Sequence, residues 1–570
     1  MEQFSQIDTL WMIIATIFIF MMQPGFAMLE AGFTRTKNAG NVVMKNLLDF
    51  VVGSIAFWVI GFGLLMGEGA IIGKIDLFAV DSYDTGLVPK SVFLMFQTVF
   101  CGTAATIVSG AMAERTRFSA YLLYSFIISA LVYPIEAHWI WGGGWLSTLT
   151  IGTAHGFRDC AGGTAVHMTG GISAFMGALI LGPRIGKYDK NGNSRAIPGH
   201  SVILSSLGIF LLWFAWFGFN TGSLQDAFSQ EKLETLGNIL LVTNLTAACS
   251  GFSTMALTWI RYGKADISMT INGILGGLVA STAGCSVMPP WAAVVTGVLS
   301  GALVLFGIEW IDKKLHVDDP VGACGVHGLC GAFGSIMVGL YAKDNGLLTT
   351  GHYDQLLVQL LGVVSVGILV SIVMGLFFVA LKKTIGLRVT PQEEINGLDA
   401  GEHNLLAAYA AIESGTLADL PTDWQPDADT KKQMPTPRTK ECLDYAPISC
   451  VVIICKPNKL EQLKKALNEI GVMGITASQV AGCGVQKGQS DYYRGTKLEI
   501  ALLPKIRLEI VVSKISVDQV VDTVRSILYT GHIGDGKIFV YDVRNVIKVR
   551  TGEEGEKALQ DPESYQELDL

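Results

Sequence analysis

The sequence predicts a polytopic α-helical membrane protein with a small soluble α+β domain at its C-terminal end. The 570-residue chain has a mean hydropathy of +0.44, and only 16% of its residues are charged, whereas about a quarter is usual for a soluble protein. Eleven apolar stretches of roughly 20 residues are each long enough to cross about 30 Å of hydrocarbon. The apolar runs end near residue 388, and strand and helix periodicities begin at about residue 447. The net charge of −8 argues against a nucleic-acid partner.

The apolar stretches predict eleven transmembrane helices. Their centres lie near Phe20, Ala56, Ala104, Ile128, Ile172, Leu211, Ala248, Leu278, Val298, Gly334 and Leu369. Of the lysines and arginines between them, sixteen fall on one side of the membrane and five on the other. Because basic residues concentrate in cytoplasmic loops, we predict that the N-terminus lies outside and the C-terminus in the cytoplasm.

Three further regions follow the membrane domain, which we place at residues 1–388. Residues 389–446 are polar, acidic and proline-rich, which predicts a cytoplasmic C-terminal segment and linker. Residues 447–552 have the pattern strand, helix, strand, strand, helix, strand, and this βαββαβ order indicates a ferredoxin-like fold. Residues 553–570 are predicted to form an acidic tail.

Two histidines lie within predicted membrane helices. His167 occurs in AGGTAVHMTGG and His327 in CGVHGLCGAFGS, each after a valine and four residues before a glycine, Gly171 or Gly331. His167 belongs to the fifth span and His327 to the tenth, so each closes a block of five spans. Because five is odd, the blocks have opposite orientations, as in a 5+5 inverted repeat. We expect the two imidazoles to face each other near the bilayer midplane, where the glycines permit close approach.

A facing imidazole pair has few chemical roles. A lone membrane histidine can be structural, but ionisable side chains in membranes are rare and mostly face a pathway or one another. Two imidazoles can share a proton, relay a proton or bind a metal ion. No carboxylate or thiol lies at metal-ligand spacing beside either histidine, and two ligands make a poor metal site. The pattern favours a pathway that carries protons past the two imidazoles, which we call the lane.

Four long stretches resemble the ammonium transporter (Amt/Mep/Rh) family. They are MLEAGFTRTKNAGNVVMKNLLDF (28–50), DCAGGTAVH (159–167), WFGFNTGS (216–223) and VDDPVGACGVHG (317–328). The resemblance covers essentially residues 5–405. It implies a homotrimer in a bacterial cytoplasmic (inner) membrane. Phe100 and Trp141 favour the ammonium branch of the family over its carbon dioxide or amine branch.

The resemblance also implies roles for individual residues. An external ammonium site would attract the cation to aromatic faces and bind one of its N–H groups with a hydroxyl. Its members would be Phe96, Phe100, Trp141 and Ser223. Asp159 would be a buried acid that supports either the cation site or the fold. Phe100 and Phe219 would form the gate beneath this site, and His167 and His327 would line the lane. Taken singly, each aromatic residue could equally belong to the core or the interfacial belt.

Transport of neutral ammonia follows from the free energy of ion transfer. Moving a bare ammonium-sized ion into a low-dielectric medium costs on the order of 20 kcal/mol in the idealised limit. The resemblance therefore implies that ammonium is deprotonated outside, that ammonia crosses, and that the histidine pair provides the proton's route. Electroneutral and electrogenic transport both remain open.

Residues 447 to 552 resemble a PII signal-transduction protein of the GlnB/GlnK type. The motifs, in family order, are GVQKGQ (484–489), YRG (493–495), LLPK (502–505), TGHIGDGKIFV (530–540) and VIKVRTGE (546–553). Glycine-rich backbone can surround a phosphate chain with N–H groups while lysine supplies positive charge.

The PII resemblance implies regulatory ligands. The site for ATP or ADP would comprise Gly484, Val485, Gln486, Lys487, Gly488, Thr530, Gly531, Gly534, Asp535, Gly536, Lys537, Lys548 and Arg550. Gln486 would bind Mg²⁺, and 2-oxoglutarate would contact Gln486, Lys487, Gly488 and Lys505. Val485 and His532 occupy positions that are often basic in the family, and Lys548 occupies the position of a usual arginine. Nucleotide preference can therefore differ from that of the family, because lysine and arginine are not equivalent at a phosphate contact.

The loop from about Lys487 to Leu503 corresponds to the T-loop of PII proteins. The resemblance implies that Arg494 enters the cytoplasmic exit of the pore on the same chain. Leu498 occupies the position of the tyrosine that is uridylylated in relatives, so control would rest on metabolites. The rival functions are an ammonium sensor that signals to a cytoplasmic partner and a slow ATPase; no general base stands beside the phosphate loop in sequence, so we predict a transporter and not an enzyme.

Overall fold

The computed structural model describes residues 4–81, 86–405, 448–472, 474–482, 491–493, 496–498, 503–531 and 535–559. The chain divides into two compact units, one up to residue 409 and one from residue 410 onwards. Each unit has its own apolar core.

Long apolar helices dominate the first unit. The helical segments are α1 (Gln6–Phe33), α2 (Thr36–Met66), α3 (Lys90–Ala111), α4 (Phe118–Thr148), α5 (Gly163–Leu181), α6 (Val202–Gly222), α7 (Leu233–Tyr262), α8 (Ile267–Thr282), α9 (Pro290–Lys313), α10 (Cys324–Tyr341) and α11 (Asp354–Lys383). Every predicted span centre lies inside one of them. Ten are long and apolar enough to cross a membrane, whereas α8 has 16 residues and falls short of the usual length. The protein is a multi-pass membrane protein, and the count of eleven spans stays a prediction.

Burial differs strongly among these helices. Most of α3 is buried within the unit, whereas α11, the most apolar helix, is largely exposed. A helix that is apolar all round and still exposed has a hydrocarbon-facing surface, because lipid is its only favourable solvent. The interior of the unit is therefore built around α3 and its neighbours α5 and α10.

Residues 389–405 begin the region predicted as a C-terminal segment and linker. They form α12 (Pro391–Asn396) and α13 (Leu398–His403), and the predicted boundary at residue 446 stays a prediction. Thr390 and Glu393 form a capping box at the start of α12. The Asp399 carboxylate accepts hydrogen bonds from the backbone N–H groups of Gly40 and Asn41, at 3.0 and 2.7 Å. Polar side chains of this stretch thus bind the start of α2. Residues 406–446 of the predicted linker lie outside the described residues.

The second unit contains a four-stranded antiparallel sheet. Its elements are β1 (Ser449–Cys455), α14 (Leu460–Glu469), β2 (Thr476–Gly482), β3 (Asp491–Tyr493), β4 (Thr496–Leu498), β5 (Leu503–Val512), α15 (Val517–Leu528) and β6 (Lys537–Asp542). The sheet order is β2-β5-β1-β6, and β3 pairs with β4 in a separate hairpin. Without that hairpin the order is βαββαβ, as predicted. Leu463, Leu467, Val520 and Val524 carry the apolar faces of both helices into the core.

Candidate functional site

The two membrane histidines are in direct contact. The Nδ1 atoms of His167 and His327 lie 3.3 Å apart, and the rings are nearly parallel, at 26°. Both residues are buried. A hydrogen bond between two Nδ1 atoms requires that one be protonated and the other bare. The pair can therefore hold one proton between its two rings.

The two histidine segments share a backbone frame. Each histidine lies in a π-helical stretch, Gly163–Met168 or Cys324–Leu329, and such stretches are frequent at functional sites. Five residues before each histidine stands a glycine with positive φ, Gly162 at 96° and Gly322 at 88°. That left-handed conformation strongly favours glycine. Both helices thus begin with the same turn.

An aspartate caps each segment, eight residues before its histidine. The Asp159 carboxylate accepts four backbone N–H bonds from residues 162–165, at 2.7 to 3.0 Å. Asp319 accepts bonds from Gly322 and Cys324, at 2.9 and 2.7 Å. Carboxylates stabilise helix N-termini in this way. Of the two roles predicted for Asp159, these contacts favour support of the fold. Asp319 was not predicted as a site residue, although it precedes His327 by the same eight residues by which Asp159 precedes His167.

Glycines bring the two histidine helices together. A Cβ atom on Gly171 would lie 2.1 Å from the backbone nitrogen of Gly328, and one on Gly331 would lie 2.5 Å from the carbonyl oxygen of Gly163. The predicted close approach is present at both glycines. Without it the imidazoles could not reach hydrogen-bonding distance.

Two stacked rings close the lane on one side of His167. The Phe100 and Phe219 rings lie 4.2 Å apart at 16°, and the Phe219 ring lies 5.5 Å from His167. Both phenylalanines are buried. A molecule that passes between this side and the histidines must displace the stack, which is the position predicted for the gate.

The other residues of the predicted external site surround Phe100. Phe96 lies 4.8 Å from the Phe100 ring, and Trp141 meets it edge-on at 6.1 Å. The Trp141 Nε1 donates to the carbonyl oxygen of Asp159 at 2.8 Å, which fixes the indole. The half-buried Ser223 hydroxyl donates to the carbonyl oxygen of Phe219 at 2.9 Å, so the lone pairs of its oxygen point elsewhere. Phe96, Phe100 and Trp141 form one aromatic cluster, and Ser223 lies one helical turn after Phe219, whose ring stacks on Phe100. These four predicted residues of the external site are hereafter the aromatic pocket.

Two aromatic neighbours of the histidines were missed in the sequence. Trp216 stacks on His167 at 4.9 Å and 18°, and its Nε1 donates to the hydroxyl of Thr282 at 3.0 Å. Phe26 contacts His327 at 5.8 Å. Trp216 lies three residues before Phe219, hence on the same face of α6, and that spacing was the available signal.

Buried ion pairs join loops at the opposite end of the helices. Glu114 pairs with Arg35 and with Arg184, the latter at 2.8 Å, and Arg184 also binds Asp318 at 2.9 Å. Burial alone would raise the pKa of Glu114, but the guanidinium groups of Arg184 and Arg35 lower it to about 2. Arg184 and Arg115 likewise hold the pKa of Asp318 below its usual value, against the effect of burial. These carboxylates are therefore ionised at neutral pH.

The described phosphate-loop residues lie around the start of β6. The Thr530 backbone N–H donates to Asp535 at 2.7 Å, and its hydroxyl donates to the same carboxylate. Although burial opposes the effect, these bonds lower the pKa of Asp535. Gly536 has φ of 129°, and a Cβ there would lie 2.4 Å from the carbonyl oxygen of Ile454. The turn therefore requires glycine.

Other predicted ligand residues of the second unit are partly described. Gly531 has a positive φ of 76°; Lys505 is half-buried and Lys537 is exposed. The backbone N–H of Lys548 donates to the carbonyl oxygen of Glu553, in the turn that also carries Arg550. Gly484, Val485, Gln486, Lys487, Gly488, Arg494 and Gly534 lie outside the described residues. The glycine turn and the lysines fit a phosphate group.

Family models match both units. The model of the Ammonium Transporter Family matches residues 10–408, and that of the Nitrogen regulatory protein P-II matches residues 448–553. The chain belongs to the ammonium transporter family. A PII domain follows the transporter domain along the chain.

Curated relatives and solved structures agree with this assignment. The chain is 45% identical to Ammonium transporter Amt2 of Archaeoglobus fulgidus over 70% of its own length and 88% of that protein. It is 40% identical to a putative ammonium transporter of Synechocystis over the same shares. Among solved structures, a Sensor Amt Protein is 38% identical with a TM-score of 0.64, over 70% of this chain and 98% of that one. Candida albicans Mep2 is 28% identical with a TM-score of 0.62, over 69% and 88%.

The transporter domain thus has the helical fold of known ammonium transporters. Within the residues that the structure describes, no group of three or more His, Cys, Asp and Glu side chains is placed to hold a metal ion. The described histidine pair is instead enclosed by Trp216, Phe219 and Phe26. These rings keep both imidazoles away from bulk solvent.

Proposed function

We propose that this ammonium transporter recruits ammonium at the aromatic pocket, removes its proton there and conducts neutral ammonia past the histidine pair. The observation that carries the proposal is the 3.3 Å contact between His167 and His327, beneath the Phe100–Phe219 stack. The imidazoles carry the proton, and the gate excludes water and metal cations. A buried ion would lose its hydration, at an idealised cost of about 20 kcal/mol, whereas ammonia crosses with little electrostatic cost.

The proposal includes the placement of the protein. The excess of basic residues in one set of loops supports an external N-terminus and a cytoplasmic PII domain, in a bacterial cytoplasmic membrane. The aromatic pocket then faces outwards, and the Glu114–Arg184 network faces the cytoplasm. We propose a homotrimer, in which the PII domains share the threefold axis of the transporter domains.

Regulation is assigned to the fused PII domain. ATP with Mg²⁺ and 2-oxoglutarate, which signal nitrogen shortage, would keep the T-loop away from the pore, and ADP alone would favour insertion of Arg494. The Thr530–Asp535 turn, Gly536 and Lys537 support a phosphate ligand. The chain's own residues would bind these ligands; no covalent chemistry is required of them.

Ammonium flux into proteoliposomes tests the proposal. We expect saturable flux with ATP, Mg²⁺ and 2-oxoglutarate and at least about fivefold lower flux with ADP. The variant Arg494→Ala should lose this ligand response, whereas Arg544→Ala, at an exposed arginine outside the T-loop, should keep it. Flux that is identical under every ligand condition would refute regulation, and absence of flux would refute transport.

A sensor is the second candidate function. It is favoured by the 38% identity to the Sensor Amt Protein and by the fusion to a signalling domain. In that case ammonium would bind the aromatic pocket without net movement, and a cytoplasmic partner would bind the PII domain in response. Saturable ammonium-dependent current in proteoliposomes would exclude a sensor that does not transport.

A further inference from the structure

A small cavity borders His327 on the side away from the Phe100–Phe219 gate. Its wall includes Phe26, Glu30, Asn272, Leu275, Val326 and His327. Most of this wall is apolar, so its polar groups are conspicuous. They are the Glu30 carboxylate on α1, the Asn272 amide on α8 and the His327 ring on α10.

The repeat relates this cavity to the aromatic pocket. On α6 the Phe219 ring lies 5.5 Å from His167, and Ser223 follows four residues later. On α1 the Phe26 ring lies 5.8 Å from His327, and Glu30 follows four residues later. Residues four apart lie on the same helix face. Glu30 is therefore the counterpart of Ser223 at the other end of the lane, with a carboxylate in place of a hydroxyl.

The Glu30 side chain is held in place by neutral donors. The Ser109 hydroxyl donates to it at 2.6 Å and the Asn46 amide at 3.0 Å. Among the described residues, no lysine or arginine lies within ion-pair distance of Glu30. A buried carboxylate with hydrogen-bond donors but no cation can accept a positively charged ligand, because that ligand supplies the missing charge.

Asn272 provides an independent observation. It is 6% exposed, and its Oδ1 has no hydrogen-bond partner. Buried polar atoms are seldom left without partners, and an exception calls for a ligand or water. A carbonyl acceptor and a carboxylate on opposite helices suit a small donor with several N–H groups.

We propose that this cavity is an inner ammonium site, in which Glu30 supplies charge and Asn272 accepts an N–H bond. The proposal rests on the transport function above. Ammonia that arrives at His327 accepts a proton from its ring: an N–H bond forms on ammonia, the ring N–H breaks, and His167 restores the ring proton. The ammonium ion so formed binds Glu30 before it leaves.

Flux measurements on the full chain test this site. Glu30→Gln keeps the shape of the side chain and one acceptor oxygen but removes its charge, and we expect at least about tenfold lower maximal flux with an unchanged half-saturation concentration at the external site. Glu30→Asp should restore most of the flux. As a matched control, Asp8→Asn changes a buried carboxylate near the other end of α1 that accepts the backbone N–H of Phe228, and its flux should stay within about twofold of wild type.

Ion binding in crystals gives a second measurement. Thallous ion, a heavy monovalent cation similar in size to ammonium, should give an anomalous peak between Glu30 and Asn272 that Glu30→Gln and Asn272→Ala abolish. A wild-type peak elsewhere only, or normal flux in Glu30→Gln, would overturn the inner site while leaving transport intact. If wild-type protein conducts no ammonium, the transport function itself fails.

Discussion

The segments around His167 and His327 have the same frame but different surroundings. Each has an aspartate cap, a glycine with positive φ and a π-helical turn before its histidine. His167 is enclosed by Trp216 and Phe219, whereas His327 meets one ring, Phe26, and borders a cavity that contains Glu30.

The shared frame and the unshared neighbours therefore have different roles: the frame positions the two histidines, and the neighbours make the two ends of the lane chemically different. The shared frame brings two imidazoles to the same place from opposite orientations, so it accounts for the proton pair. The unshared neighbours make one end aromatic and the other carboxylate-bearing. In the proposed mechanism the aromatic pocket admits ammonium, and the carboxylate receives the protonated product.

The aspartate caps give the largest expected effect within this comparison. Asp159 accepts four backbone bonds and Asp319 accepts two in the described contacts. Because hydrogen bonds to charged groups are worth about 1.5–3 kcal/mol each and are not additive, we expect a loss of about 4 kcal/mol for Asp159→Ala and about 2 kcal/mol for Asp319→Ala. Thermal unfolding in detergent measures both. Equal losses would show that the number of bonds does not matter.

Acid should weaken the end that carries the ion pairs. The pKa of Glu114 is lowered from about 4.5 to about 2, so its stabilisation is complete above pH 4.5 and is lost as the pH falls towards 2. The shift corresponds to about 3 kcal/mol. Unfolding midpoints between pH 6 and pH 3 should fall less in Glu114→Gln than in wild type, although the variant is less stable at pH 6. A parallel fall in both would contradict the assignment.

The helix contact is tested by alanine at the facing glycines. A Cβ on Gly171 or Gly331 would overlap backbone atoms of the other segment, so each substitution should cost about 2 kcal/mol through overpacking. Gly237 of α7 has no atom within 4 Å of such a Cβ, and Gly237→Ala should preserve or raise stability. If all three variants unfold alike, close packing is not what holds the histidines together.

The smallest expected effect concerns the extra ring beside His167. Trp216→Phe keeps an aromatic face but loses the hydrogen bond to Thr282, a loss of about 1 kcal/mol. We expect flux to fall by less than about fivefold, since the Phe219 ring still covers the imidazole. Phe26→Leu, on the other segment, should have a similar effect. A larger loss in only one would reveal a role beyond enclosure.

Much of this arrangement could be predicted from the sequence because it follows periodicity and spacing. The eleven helix centres and the βαββαβ order of elements required only hydropathy and strand patterns, and the pairing of His167 with His327 followed from equal offsets to glycine. The family resemblance added Phe100 and Phe219, whose rings stack in the structure, and Ser223, which lies one helical turn after Phe219. Residues whose contacts are made with another helix could not be identified from the sequence.

The missed residues have physical reasons. Asp319 and Trp216 carry no local signature of their own and matter only through backbone and ring contacts that the fold creates. Glu30 was part of a recognised motif, but its place beside His327 depends on the packing of α1 against α10. The polar residues at 389–405 gave no sign of the two short helices, because Asp399 binds backbone N–H groups near the start of α2 through its carboxylate and that contact needs few apolar residues.

The central claim is that the histidine pair carries the proton, and ammonium-dependent current in proteoliposomes tests it most directly. With His167→Leu or His327→Leu in the full chain, we expect the proton-coupled current to fall by about a hundredfold, the scale of general acid–base catalysis, while the folded yield stays near that of wild type. If either variant kept the current and its selectivity against K⁺ unchanged, the histidine pair would not be the proton's route.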